Sequence, residues 1–383
     1  MKILIATPIY PPEIGGPATY TKELCKHFAS FHDITVVAYT NTNKSFPDTK
    51  LISVNKQKPL IIRLIKYFLE ILKIARKMDV IYVQNAMAAG LPVALASMFS
   101  GVPFVLKFVG DEAWERAAQL RLTKKRLEEF LAKPERNIRI RIMMIIQRFV
   151  LRRAAKVITP SNYLREEIIK TYKVSPSRIV VNYNAADDNE VLPFQTKRIQ
   201  HQIVTTARLV AWKGIDGIIK AVAILKNKFP DIKLVVAGEG PEMNHLQSLA
   251  REKGISDHVT FLGNVSRAET WHLRKNSEVY VLNSTYEGLP HTVLTSFAAM
   301  IPVVATNISG TNEAIYHEKT GLLVEPNNEK ELAEAITRLF EEPELGEKLT
   351  KNGAILLKEK FSWEAHLKNL LSVLESVAVN PVR

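Results

Sequence analysis

The sequence predicts an α/β protein made of two successive parallel-sheet units, each Rossmann-like in its alternation of strands and helices. Three observations carry that prediction. The chain has 383 residues, more than a single hydrophobic core organises. Short apolar strands alternate with helical patterns along its length, and residues 182–202 lose periodicity while gathering Asn, Asp and Pro. Apolar residues make up 46% and charged residues 24%, so both halves can bury a core and a disordered chain is excluded.

In chain order, the first half predicts strands at 2–7, 34–39, 80–83, 103–109 and 157–159, with a helix at 18–30. Short apolar runs of this kind suit a parallel sheet covered on both faces. The second half predicts strands at 203–206, 233–237, 259–261, 279–282 and 303–305, separated by helices at 215–226, 243–252, 267–275, 292–299 and 329–339. An amphipathic helix at 365–377 follows, and no further strand of the second sheet accounts for it. The expected division is 1–195, 196–364 and a final helix, 365–383, that packs back on the first unit, with the boundary near Gln195.

The single cysteine, Cys25, closes no intramolecular disulfide and builds no multi-cysteine metal site. The first residues form a short apolar strand ending in prolines, without a signal-peptide layout, and no run approaches eighteen apolar residues. A cytoplasmic protein is expected. Its net charge of +13 is unevenly placed: up to Glu190 there are 30 Lys and Arg against 17 Asp and Glu, and beyond it the two balance at 22 each. A basic first half suits an anionic membrane, an acidic substrate or nucleic acid. Its basic residues are interleaved with long aliphatics and not with stacking aromatics, which argues against nucleic acid.

Ligands of open parallel sheets bind beyond the carboxyl ends of the strands, and three loops there carry candidate chemistry. Gly15-Gly16 precedes a helix start, where close backbone approach and free N–H groups favour phosphate; the alternative is a tight turn. Arg208 and Lys213, at a strand end leading into a helix, can neutralise a diphosphate without a metal, or they are two solvated surface charges. Glu287, the only carboxylate of Ser284–His291, can accept from sugar hydroxyls or favour positive charge in an oxocarbenium-like transition state; a lone Glu-Gly is also an ordinary turn.

Together these loops resemble the retaining GT-B glycosyltransferases of family 4 over nearly the whole chain. The resemblance rests on Pro-Pro-Glu-Ile-Gly-Gly at 11–16, Arg208-Leu209 with Trp212-Lys213-Gly214, Val-Ala-Gly-Glu-Gly-Pro at 236–241, Phe261-Leu262-Gly263 and Tyr-Glu-Gly-Leu-Pro at 286–290. It implies that a cleft between the domains holds a nucleotide-diphosphate hexose, UDP- or GDP-linked, with no other cofactor. Arg208 and Lys213 would hold the diphosphate and Glu287 the sugar hydroxyls, while the backbone of Gly288 and Leu289 touches sugar and phosphate. Gly15, Gly16 and Asp111 would line the acceptor side, with Gly16 also near the phosphates.

Three positions depart from the family pattern. Thr295 stands where a second glutamate usually grips the ribose, and Val109 stands where a histidine often precedes Gly110-Asp111; Met300 also replaces a usual glycine. These departures motivate a non-catalytic relative as an alternative, and a sugar-nucleotide epimerase of the same architecture is a second. No strand-end Asp-x-Asp or histidine cluster suggests a metal, since Asp187-Asp188 sits in the linker. His291 adjoins the Glu287 loop and is expected either near the donor or in solvent.

The segment 58–77 places Arg63, Lys66, Glu70, Lys73 and Lys77 on one helical stripe with apolar residues around most of the remainder. Such a helix lies in a membrane interface or serves as a core helix with a basic stripe. The similar segment 137–153, preceded by the basic Lys124-Lys125-Arg126, carries the same two readings, of which the core helix is favoured. The expected acceptor is a glycan or lipid-linked sugar at the inner membrane face, met by a protein peripheral on that anionic surface.

Overall fold

Every strand of the first sheet is short and rich in Val, Ile and Leu, and most are buried along their length, as strands covered on both faces require. The computed structural model describes residues 1–13, 15–186 and 198–379. Gln195 and Asp187-Asp188 lie outside the described residues. The chain divides into a first unit, Met1–Asn182 with Leu367–Arg383, and a second unit, Tyr183–His366.

The first unit contains β1 (Lys2–Thr7), α1 (Gly16–Phe28), β2 (Asp33–Tyr39), β3 (Thr49–Val54), α2 (Leu60–Ala75), β4 (Val80–Val83) and α3 (Gly90–Ser100). These are followed by β5 (Phe104–Lys107), α4 (Glu112–Gln119), α5 (Leu127–Ala132), α6 (Ile138–Arg153), β6 (Lys156–Thr159), α7 (Asn162–Tyr172) and β7 (Ile179–Val181). The strands form one parallel sheet in the order β3-β2-β1-β4-β5-β6-β7, so the strand order reverses between β1 and β4.

The second unit contains β8 (Gln202–Thr206), α8 (Ile215–Leu225), β9 (Lys233–Ala237), α9 (Met243–Glu252), β10 (Val259–Gly263), α10 (Arg267–Asn276) and β11 (Val279–Leu282). It continues through α11 (His291–Ala298), β12 (Val303–Thr306), α12 (Ser309–Asn312), β13 (Leu322–Val324), α13 (Glu329–Glu341), α14 (Pro343–Lys360) and the start of α15 (Trp363–Glu375). Its parallel sheet runs β10-β9-β8-β11-β12-β13 and reverses between β8 and β11.

Local signals set many ends. Ser266 and Glu269 form a reciprocal capping box at α10, and the Asn137 side chain accepts from Arg139 N and Ile140 N at the start of α6. Gly101 closes α3 in the left-handed region, at φ 76°. The predicted strand at 103–109 is shorter than expected because the chain turns through Gly110 into α4, capped by Asp111. Three strands were missed: β3 has a partly exposed, weakly patterned sequence, while β7 and β13 are only three residues each. β13 is the sixth strand that the second sheet was not expected to have.

From Leu367 onward α15 belongs to the first unit. Leu370 and Leu374 are buried in one core with Leu24, Cys25 and Phe28 of α1 and with Ile3 and Ile5 of β1. This is the helix that crosses back to the first unit. Replacing Leu374 by Ala should destabilise that unit by ~2–5 kcal/mol. Urea unfolding followed through probes in each unit should show the first unit's transition moved to lower denaturant and the second unit's unchanged.

Candidate functional site

In the second unit the strand order reverses between β8 and β11, and the loops after those two strands carry Arg208, Lys213 and Glu287. Lys213 Nζ lies 2.6 Å from Glu287 Oε1, and the side chains are 21% and 11% exposed. Ser284 Oγ donates to the same carboxylate oxygen at 2.7 Å. Two residues 74 positions apart in sequence thus meet in a mostly buried ion pair at a switch point. Arg208 is exposed, and among the described residues its guanidinium has no carboxylate partner.

Glycines hold these loops in place by direct backbone contact. Gly238 has φ 139°, and a Cβ there would sit 1.9 Å from Ala207 O; one on Gly240 would sit 2.2 Å from Leu209 O. The loop after β9 therefore lies flat against 207–209, with Leu209 N donating to Glu239 O at 2.8 Å, and this fixes the backbone of Arg208. Gly214 is left-handed, at φ 61°, and its Cβ would meet Asn283 O at 2.1 Å. Asn283 Nδ2 donates to Gly214 O at 2.8 Å and Thr285 N donates to Trp212 O at 2.8 Å, so the Lys213 loop is laced to the Glu287 loop. A Cβ on Gly310 would sit 1.9 Å from Glu287 O.

The N–H groups of Gly288 and Leu289 have no backbone acceptor among the described residues, while Leu289 O accepts from Asn184 Nδ2 at 3.2 Å. Thr295 turns its hydroxyl onto its own helix, donating to His291 O at 3.2 Å and Thr292 O at 3.0 Å. His291 is exposed, with Nε2 3.0 Å from Ala185 O. A cavity of about 330 Å³ lies on the α8 side of the same loops, lined by Gly214, Asp216, Lys220, Asn283 and Glu329 among others. Arg208, Lys213 and Glu287 are not part of its lining, so it touches the back of their loops and not their charges.

In the first unit, Gly15 and Gly16 open α1, which has no side-chain cap and no acidic residue in its first turn. A Cβ on Gly16 would meet nothing within 4 Å, so that surface is open. Asp111 is buried, 1% exposed, and its carboxylate accepts from Trp114 N at 2.8 Å, from Gln147 Nε2 at 3.2 Å and from the Tyr172 hydroxyl. Burial raises its pKa and those three bonds pull it back. It therefore positions the start of α4. Val109 is exposed beside it.

Sequence reasoning missed Ser284, Asn283 and Gly310, which hold Glu287 and Gly214. Their signal was a polar Asn-Ser pair closing the apolar run Val279–Leu282, and a Gly soon after β12. It also missed Lys107 and Gln84 at the carboxyl edge of the first sheet, where a charged or amide residue follows a wholly apolar strand.

Residues 14–190 match the model of "Glycosyltransferase Family 4" and residues 189–355 that of "Glycosyl transferases group 1". The chain is 28% identical over 244 residues to an alpha-D-kanosaminyltransferase of Streptomyces kanamyceticus, covering 61% of this chain and 63% of that protein. It is 28% identical over 179 residues to a GDP-mannose-dependent alpha-(1-6)-phosphatidylinositol monomannoside mannosyltransferase of Mycobacterium tuberculosis, covering 45% and 46%. The matched stretches thus span less than two thirds of these curated relatives. The structure of HepE from Anabaena in complex with UDP is similar at a TM-score of 0.76 and 19% identity, over 98% of this chain and all of that one. The fold is GT-B.

Because Gly214 is both left-handed and in contact with Asn283, Gly214→Ala should push the Lys213 and Glu287 loops apart. The variant's melting temperature should fall, as differential scanning calorimetry can measure, and an unchanged melting temperature would show that the contact does not hold the two loops.

Proposed function

Because the chain belongs to the glycosyltransferases of family 4 and group 1, we propose that it is a retaining enzyme that moves a hexose from a UDP- or GDP-linked donor to the hydroxyl of a membrane-associated glycan or lipid-linked sugar. The observation that carries this reading is the Lys213–Glu287 pair beside Arg208 at the switch point of the second sheet. The donor belongs to the second unit. Arg208 and Lys213 take the diphosphate, the N–H groups of Gly288 and Leu289 add donors to it, and Glu287 accepts from sugar hydroxyls. Lys213 aims the carboxylate, and Ser284 holds the oxygen that Lys213 shares.

As the bond from the anomeric carbon to the phosphate oxygen breaks, the acceptor hydroxyl's oxygen bonds to that carbon on the same face and its proton passes to the departing phosphate oxygen. The departing diphosphate gathers negative charge where two fixed cations already lie, so no metal is needed to stabilise it. Thr295, its hydroxyl satisfied within α11, contributes contact and no charge near the ribose. Gly15 and Gly16 offer the open surface of the acceptor side, and Asp111 acts there by fixing α4.

Arg208→Ala should weaken UDP or GDP binding by ~1.5–3 kcal/mol, about ten- to a hundredfold. Glu287→Gln should lower turnover at least a hundredfold with little change in melting temperature, since glycines and Asn283 build the loop. Incubation with a panel of nucleotide sugars, reading the diphosphate released with and without membrane extract, identifies donor and acceptor. A free nucleotide-sugar isomer formed without acceptor would replace this reading with an epimerase.

The acceptor's setting is read from the first unit. Leu60, Ile61, Ile62, Ile65 and Leu69 of α2, Met98 and Phe99 of α3, and Ile138, Ile142 and Ile145 of α6 are all exposed. α3 packs against both of the other helices, and Lys66, Lys73, Arg139, Arg141 and Arg148 are exposed on the same two flanking helices. The segment 137–153 is therefore no simple core helix. No described helix is long and apolar enough to cross a membrane. Apolar side chains beside cations suit an anionic bilayer surface, each cation contributing roughly 1 kcal/mol within a Debye length of about 8 Å. The protein should sediment with anionic vesicles at low salt and be released as salt rises. Lys66→Glu/Lys73→Glu protein that still pellets fully would remove α2 from the contact.

A further inference from the structure

The ladder between β8 and β11 is short: it joins Ile203 to Val279 and Val204 to Tyr280, and stops there. β8 stays paired to β9 as far as Thr206 with Ala237, and β11 stays paired to β12 as far as Leu282 with Ala305. The second sheet therefore splits at its carboxyl edge, at its topological switch point. Arg274, in the last turn of α10, is sunk at this split and is only 5% exposed. Its Nη2 donates to Thr206 Oγ1 at 2.6 Å, and its guanidinium lies 5.2 Å from the centre of the Tyr280 ring. The Tyr280 hydroxyl donates to Thr206 O at 3.3 Å, so two α10-face side chains bridge to the end of β8 where the ladder has ended. Tyr280 and Leu282 share a core with Trp271 of α10 and with Val293 and Leu294 of α11, the helix into which the Glu287 loop leads. The cation thus belongs to the sheet face that carries the Glu287 loop, opposite the cavity beside α8.

Neither contact cancels the charge. Among the described residues Arg274 has no carboxylate partner, and its Nε is buried without an acceptor. Arginine stays protonated in proteins, so the split holds a fixed positive charge away from water. A charge so placed costs folding free energy that an apolar side chain of similar volume would not. The charge is therefore no aid to packing.

We propose that Arg274 is a positioning residue for the donor, its buried charge setting a positive potential at the switch point that favours the diphosphate over less charged ligands. The idea rests on the glycosyltransferase reading for its ligand, and every residue it invokes lies in the second unit.

Arg208 is exposed, so solvent and salt weaken its field, whereas the field of Arg274 passes through packed side chains that screen it less. Low-dielectric walls also focus such a field into a crevice at a sheet edge. Arg274 acts without touching the ligand, and Thr206, which it grips, stands two residues before Arg208. The effect must grow with the charge of the ligand. A nucleoside diphosphate carries more negative charge than the monophosphate, so loss of the cation should weaken the diphosphate more. A role confined to packing, or to holding the end of β8, would weaken both alike.

Calorimetric titration of the full-length protein with UDP and UMP, and with GDP and GMP, tests this. The parent should prefer the diphosphate. Arg274→Gln removes the charge but keeps an N–H for Thr206; it should bind the diphosphate at least fivefold more weakly and the monophosphate within about twofold of the parent. Arg274→Met fills similar space without charge and should show the same selective loss, which keeps the test sharp if the glutamine variant folds poorly. Thr206→Val removes the bond and keeps the charge, and it should leave the preference for diphosphate unchanged. Equal weakening of both ligands in the Arg274 variants, or unchanged affinity for both, overturns the proposal. A Thr206→Val protein that loses the diphosphate preference overturns it as well, since the bond and not the charge would then carry the effect. A parent that binds none of the four nucleotides removes the donor reading and this proposal together, whereas unchanged binding in Arg274→Gln beside a loss in Arg208→Ala removes this proposal alone.

Discussion

The second unit's site depends on backbone approaching backbone where a side chain would not fit. Gly214 lies against Asn283, Gly238 against Ala207 and Gly310 against Glu287, each so close that a Cβ would fall about 2 Å from a carbonyl oxygen. These contacts pull together the loops after β8, β9, β11 and β12, which arise from strands in four places along the chain. A loop held only by side chains would let Lys213 and Glu287 drift; one pressed against its neighbour's backbone has few alternative conformations. Glycine is required there for space, and at Gly214 and Gly238 for the positive φ as well.

On that frame the charges are economical. Lys213 and Glu287 neutralise each other over 2.6 Å, so neither is an isolated charge in a partly dry setting, and Ser284 supplies the carboxylate oxygen with a second bond. Arg208 stays exposed on a backbone fixed by Glu239 and Gly240. Arg208 thus has no carboxylate partner among the described residues, and Lys213 has one.

The first unit distributes its charge differently. Lys66, Lys73, Arg139, Arg141 and Arg148 lie on exposed helical faces beside exposed isoleucines. Lys107 is the exception, sunk at the sheet edge against an aromatic ring. Burial separates these two kinds of positive charge, and it also sets Asp111 apart as a structural carboxylate, turned inward to Trp114, Gln147 and Tyr172.

Much of this molecule was legible in its residues. Alternating apolar runs determined two parallel sheets because strands buried on both faces have little other choice of sequence, and the helix at the end was visible from its own periodicity. That Arg208, Lys213, Glu287 and several glycines fall in the loops after strands was legible from the strand pattern alone. Three-residue strands such as β7 and β13 were not, since their identity comes from a neighbour's free backbone groups and not from any local pattern. Nor could the sequence say that Lys213 meets Glu287 across 74 positions, that Thr295 folds its hydroxyl back on α11, or that Lys107 is buried while Lys66 is exposed. Those outcomes depend on which elements pack over a residue, and burial, the quantity that sets what a charge does, exists only once the chain is folded.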